Sequence, residues 1–263
     1  MSSLVFRRAA EALEKGESAV LVTVVAVEGA APREAGAKML VFPDGHAEGT
    51  VGGGALEYHA IQKALDLLKE GKKTLLESLE LRDLGMLCGG RTTLFYEVLQ
   101  SPPLLAIFGA GHVGRLLALL AQKTTAWRIL LLDDRAERLA DLPPGLEGKH
   151  LPAYQEIPSF PEKTYVVVAT ESHATDLRVV SALLKNEPEP AYLGMLGSQA
   201  KAAEIRAKLL AMGISEEKVK KLHCPVGLPL GGKDPGSVAV SILAEILAFH
   251  HGRLSETKAR LAS

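Results

Sequence analysis

Apolar positions change their period along this chain, and the change divides it in two. Residues 4–15 set Leu4, Val5, Ala9 and Leu13 at helical spacing among charged neighbours, which predicts an amphipathic helix. Residues 19–27 form a β-rich run and predict a buried strand. Residues 38–42, the turn Pro43-Asp44-Gly45 and residues 46–51 read as a hairpin. Gly52-Gly53-Gly54 then leads into a helix over 55–69, and 72–81 and 91–99 read as two more strands. Ser101-Pro102-Pro103 is the one clear linker. Beyond it, apolar runs alternate with helix-forming runs. Strands are predicted at 104–106, 127–132, 164–169 and 190–193, and helices at 115–121, about 175–186 and 198–212. A last helix starts at Asp234-Pro235 and runs to about His250, with Val238, Ile242, Ile246 and Phe249 on one face. The pattern predicts an α/β chain: an N-terminal α+β domain over residues 1–100, then a parallel-sheet domain over 101–263.

The glycines make the second half more specific. Phe108-Gly109-Ala110-Gly111-His112-Val113-Gly114 sits between a predicted strand and a predicted helix, and the next strand ends in Asp133-Asp134. This is the order of a Rossmann-like dinucleotide-binding βαβ unit. Gly109 lets the strand turn, Gly111 lets backbone approach a pyrophosphate, and Gly114 lets the helix sit close to the sheet. Unpaired N–H groups at the helix start welcome an anion. Asp133, 24 residues after Gly109, is placed to meet a ribose hydroxyl, so NAD(P) or another nucleotide is the expected crevice ligand. The alternative is a Rossmann fold that binds no dinucleotide. Two more loops follow strands at the ligand edge. One carries His173 and Asp176, spaced to share a helix face and hydrogen-bond, with Ser172 or Thr175 as a cap. The other carries Gly194-Met195-Leu196-Gly197-Ser198 with Lys201 one turn in. With His112 in the glycine turn, three loops should converge on one crevice.

Composition narrows the class. The chain has 263 residues, 47% of them hydrophobic, enough for a sizeable core. Net charge is −1, and neither half is strongly basic, which excludes an electrostatic reader of nucleic acid or of a membrane surface. No apolar run reaches the ~18 residues of a membrane span, and the charged N-terminus has no secretory apolar segment. The two cysteines, Cys88 and Cys224, lack zinc-like spacing. A reduced, cytoplasmic protein with no nucleic-acid or membrane partner is expected.

The first half carries chemistry of another kind. Gly49-Thr50-Val51-Gly52-Gly53-Gly54 precedes a helix and either makes a tight connection or presents N–H groups to an anionic ligand. Glu57 follows one turn in, where it complements the helix start or faces a pocket. Arg33, beside Pro32, is solvated or pairs with a phosphate. Cys88-Gly89-Gly90-Arg91 leaves a thiol sterically open, with Arg91 favouring thiolate. Such a sulfur suits a soft ligand, a metal or a transferable sulfur, the alternative being a small buried cysteine at a bend. Cys224, before Pro225 in a turn-rich closure of the crevice, reads as inert.

Taken together these motifs resemble the XdhC/CoxI family of xanthine dehydrogenase accessory proteins. The resemblance rests on Pro32-Arg33 with Gly36-Ala37-Lys38-Met39, on Gly49–Gly54 with Leu56-Glu57, on Cys88-Gly89-Gly90, and on Phe108–Gly114. Asp133-Asp134-Arg135, Gly194–Ser198 with Lys201, Pro225-Val226-Gly227-Leu228, Pro235 and Ser241–Ile246 complete it. It implies a molybdenum cofactor chaperone that shields the cofactor, supports its sulfuration with a cysteine desulfurase, and delivers it to a xanthine dehydrogenase-type molybdenum hydroxylase. By the same resemblance Cys88 contacts the molybdenum or sulfur end. Arg33 and Gly52, Gly53 and Gly54 hold the pterin phosphate, Gly89 and Gly90 keep the thiol open, and the protein is a homodimer. No catalytic residue is implied. Two positions depart from the family pattern: Leu87 stands where many relatives have a second cysteine, and Glu171 where they often have a first histidine. The rival reading is an NAD(P)-dependent oxidoreductase with His173 as acid or base, and a third is a nucleotide-binding regulator.

Overall fold

The computed structural model describes residues 2–86, 89–161 and 163–262. The chain forms two compact units, Met1–Pro102 and Pro103–Ser263.

In the first unit, strands β1 (Ala19–Glu28), β2 (Lys38–Val41), β3 (Ala47–Gly49), β4 (Thr74–Glu80) and β5 (Arg91–Leu99) make one antiparallel sheet in the order β3-β2-β1-β5-β4. Helix α1 (Ser2–Lys15) covers one face and α2 (Gly54–Glu70) the other. Alternation along β1 explains the arrangement. Val20, Val22 and Val24 pack with Leu56, Ala60, Ala64 and Leu67 of α2. Ala19 and Leu21 pack with Val5, Ala9 and Ala12 of α1. With both faces covered, the first half of β1, residues 19–22, reads as a continuous apolar run instead of an alternating one. Leu56 is fully buried, so its side chain alone contributes about 2 kcal/mol. Gly71, at φ 67°, ends α2 in the left-handed conformation.

The second unit is a parallel sheet of β6 (Leu104–Phe108), β7 (Arg128–Asp133), β8 (Glu147–His150), β9 (Thr164–Val168), β10 (Tyr192–Met195) and β11 (Leu222–His223), in the order β11-β10-β9-β6-β7-β8. The chain therefore starts in the middle, winds outward, then returns to wind the other way. The reversal lies between β6 and β9, where such sheets bind ligands beyond the strand carboxyl ends. Helices α3 (His112–Thr124) and α7 (Pro235–His250) pack on one face. Helices α4 (His173–Lys185), α5 (Gln199–Ala211) and α6 (Glu216–Lys220) pack on the other. A final helix, α8 (Leu254–Ala262), follows α7. Ser172 caps α4 by accepting the Thr175 N–H at 3.1 Å, so that helix starts two residues before the expected position. β10 begins two residues later than expected because Pro190 has no N–H to give a ladder. Among the described residues no helix is long and apolar enough to cross a membrane.

Candidate functional site

Three loops meet at one end of the antiparallel sheet. Gly90 donates its N–H to Ala30 O at 3.1 Å, and a Cβ there would lie 2.4 Å from that oxygen and 2.6 Å from Glu28 O. Only glycine fits so close to another backbone. A Cβ at Gly52 would lie 2.6 Å from Pro32 Cγ. The loop after β1 is thus held by the glycine cluster on one side and by Gly90 on the other. It borders an open cavity of about 590 Å³ lined by Pro32, Arg33, Glu34, Gly36, Lys38 and Thr50. Arg33 is exposed there and has no partner among the described residues. Lys38 donates from Nζ to Thr23 Oγ1 at 3.2 Å.

The glycine cluster differs in part from expectation. Gly53 donates its N–H to Glu57 Oε1 at 2.9 Å, and Gly52 donates to Thr50 Oγ1 at 3.2 Å. The Thr50 hydroxyl itself donates to Glu57 Oε1. The start of α2 therefore already holds a carboxylate, its own. Cys88 and Leu87 lie outside the described residues. Their flank is defined: Arg82, which sequence reasoning missed, has its guanidinium 2.9 Å from where a Gly89 Cβ would stand. Arg91, expected to favour the thiolate, instead donates from Nε to Glu80 Oε1 at 2.7 Å across β4 and β5.

In the second unit the three glycines separate by role. Gly109 has φ +105°, and a Cβ there would lie 2.2 Å from Ala169 O. A Cβ at Gly114 would lie 1.9 Å from Gly109 O. At Gly111 the nearest atom is Arg138 Nη1, at 4.0 Å. Two glycines are structural, and the third leaves room beside the α3 N-terminus. His112, first in α3, is exposed at this mouth.

Asp133 is 1% exposed and turned inward. Its carboxylate accepts the Ala110 N–H at 2.6 Å and the Arg135 N–H at 2.9 Å. It fastens the glycine turn, with Arg138 Nη1 3.7 Å away. Burial first, and then the adjacent Asp133 carboxylate, push Asp134 above the usual carboxylate range. Arg135 and Arg138 both reach Glu171, Arg138 at 3.8 Å, so ion pairs link the ends of β7 and β9 across the glycine turn. The cleft left open measures about 170 Å³ and includes Asp134, Thr170 and Thr175.

His173 and Asp176 do not pair. Asp176 is fully buried and accepts from Thr170 N at 3.1 Å, from Thr170 Oγ1 at 2.5 Å and from Lys201 Nζ. Lys201 also donates to Leu196 O at 3.0 Å. His173 is exposed, with Nδ1 3.8 Å from Glu204. Helical spacing put the two on adjacent turns, but the first residue of α4 faces solvent while Asp176 points under the loop it caps. Ser198 caps α5 by accepting the Lys201 N–H at 3.2 Å. Cys224 is buried, and burial pushes its thiol above the usual range, which suits the inert role expected. Glu171 and the arginines stood beside Asp133 or His173 in sequence, yet only strand order brings them together.

Known proteins agree with this architecture. Residues 105–246 match the model described as XdhC Rossmann domain, and residues 12–78 match that of the XdhC and CoxI family. The uncharacterized protein YqeB of Escherichia coli K12 is 32% identical over 92% of this chain and 46% of its own length. The chain thus spans about half of that relative. PaoD of the same organism, a molybdenum cofactor insertion chaperone, is 29% identical over 92% of this chain and 86% of its own. A probable xanthine dehydrogenase subunit of Bacillus subtilis is 30% identical over 59% of this chain and 46% of its own. A crystal structure described as a xanthine dehydrogenase from Bacillus halodurans covers 96% of both chains at TM-score 0.51 and 19% identity, a likeness of fold alone. An antiparallel glycine-loop unit followed by a doubly wound parallel sheet, each matched by its own model, makes this chain a member of the XdhC and CoxI family.

Proposed function

We propose that the chain is a chaperone for molybdenum cofactor, which it binds in its N-terminal unit and delivers to a xanthine dehydrogenase-type molybdenum hydroxylase. The observation that carries this reading is the cavity of about 590 Å³ bordered by the two cations Arg33 and Lys38 and the single carboxylate Glu34. Its size falls in the range of small-molecule sites. Arg33 has the fork geometry for a phosphate, and Lys38 adds a point charge. Gly90 is anchored to the backbone of that same loop, and a Cys88 thiolate two residues before it would suit the soft end of the cargo. PaoD, similar along most of its length, carries the matching name. In this reading the residues hold and release, and none turns substrate over. A cysteine desulfurase supplies sulfur, two copies of the chain act together, and the compartment is the cytoplasm; these three expectations rest on the resemblance and on cysteine usage.

The test is anaerobic loading with molybdenum cofactor, followed by gel filtration and metal analysis. Arg33→Ala and Cys88→Ala should each retain roughly tenfold less, the loss of one charge-assisted contact. Equal retention by the wild type and both variants overturns the proposal.

A nucleotide at Gly109–Gly114 that regulates delivery is the second reading, favoured by the open space at Gly111. Calorimetry with NAD, NADP and ATP tests it, and no binding of any of them removes it. Turnover of a carbonyl substrate with NAD(P) would put the oxidoreductase reading first.

A further inference from the structure

The amino-terminal edge of the parallel sheet, opposite the crevice, carries a polar group in an apolar setting that the function above does not use. Glu245 of α7 is fully buried. Its Oε1 accepts from the Tyr192 hydroxyl at 2.9 Å and lies 2.9 Å from His223 Nδ1, while its Oε2 accepts the Gly227 N–H at 2.9 Å. Lys258 of α8 approaches Oε1 at 3.5 Å. Burial pushes this carboxyl upward, but His223, Lys258 and Tyr192 outweigh it and keep the group below its usual range, as a carboxylate. In a neutral imidazole, a carboxylate on Nδ1 selects the tautomer with the proton on Nδ1 and the lone pair on Nε2.

His223 also lines a cavity of about 280 Å³ whose other walls include Leu184, Pro190, Leu193 and Phe249. Nε2, across the ring from Nδ1, has no partner among the described residues. A carboxylate–imidazole pair alone is consistent with a purely structural role. Here the imidazole borders a mainly apolar chamber with Nε2 unpartnered. At the rim Glu189 pairs with Lys221 and with Lys218, each at 2.8 Å, and Lys218 also pairs with Glu187 at 3.2 Å, so two carboxylates balance two ammonium groups and the entrance selects neither anion nor cation. The chamber is smaller than the ~300–1,000 Å³ of drug-sized sites. We propose that this cavity binds a small, neutral, single-ring molecule that donates one hydroxyl or N–H hydrogen bond to His223 Nε2.

The test uses the full chain labelled with ¹⁵N-histidine and follows the His223 ring nitrogens during titration with phenol and indole. Anisole and N-methylindole serve as ring-matched probes without the donor. Phenol and indole should shift the Nε2 signal with Kd of about 1 mM, as suits a ligand of one ring. The donor-free probes should bind roughly tenfold more weakly, the loss of one hydrogen bond. Ala191→Trp, at an exposed position on the cavity wall, should abolish the shift while the Nδ1 signal stays in place. No shift with phenol or indole, equal affinity for donor and donor-free probes, or an unchanged response in Ala191→Trp would each overturn the proposal.

Discussion

Asp133 decides between two uses of one residue. In a dinucleotide crevice the acid at this strand end faces the ribose, and its loss weakens binding while the fold persists. Here it is buried and accepts two backbone N–H groups, from Ala110 at 2.6 Å and Arg135 at 2.9 Å. A hydrogen bond to a charged group contributes about 1.5–3 kcal/mol, and removing the acceptor leaves the buried Ala110 N–H without one. Asp133→Ala should therefore cost about 4 kcal/mol, a large share of the 5–15 kcal/mol that holds a typical domain. Asp133→Asn keeps one acceptor oxygen but turns an amide toward the second N–H, and should cost about 2 kcal/mol. The chain has a single tryptophan, Trp127, in the second unit and stacked on Tyr165 at 4.8 Å. Its fluorescence during urea unfolding therefore follows that unit and not the first. If Asp133→Ala unfolds at the wild-type midpoint but loses nucleotide binding, the inward role is refuted.

Three further outcomes follow from the same geometry. Gly111→Ala should fold normally, because the new methyl meets open space, whereas Gly114→Ala should be destabilised by more than about 2 kcal/mol because it meets a carbonyl at 1.9 Å; thermal unfolding of both variants checks this. Glu171→Gln should release Arg135 and Arg138 from the ion pairs across the glycine turn and raise affinity for a nucleotide phosphate severalfold in calorimetry, while unchanged affinity would mean the bridge closes nothing. His250, which sits 5.1 Å from Trp127, is held below its usual range by burial first, and then by the charges of His251 and Lys163. Below pH 6.5 the unfolded chain takes up a proton that the folded one resists. The stability this residue gives is thus complete above pH 6.5 and lost as pH falls through the lower folded value. Trp127 fluorescence should drop with a midpoint below 6.5, and His250→Gln should flatten the curve.

Much of the fold was legible in the sequence. The hairpin, the glycine turn, the central strands and the long helices all carry strong periodicity or capping signals. What was missed is short or polar. Glu147–His150 pairs as an edge strand although all four residues are exposed, and Leu222–His223 is two residues long. The candidate site was legible as motifs but not as contacts. The sequence pointed to Arg33 and the Gly52–Gly54 cluster, yet Arg82 beside Gly89 and the Arg138–Glu171 pair depend on which loops the topology brings together. The same limit explains His173 and Asp176, where spacing was right and side-chain direction decided otherwise.

Glu57 gives the first unit a property that no inventory of cations conveys. An anion arriving at the start of α2 finds a tenant on a short leash, so guest and tether compete at the local concentration of an intramolecular group. A guest anion there would be gripped more weakly for this competition, and the tether would re-dock as it left. For the carrier proposed above, which must let go as readily as it takes hold, that side chain would supply the push.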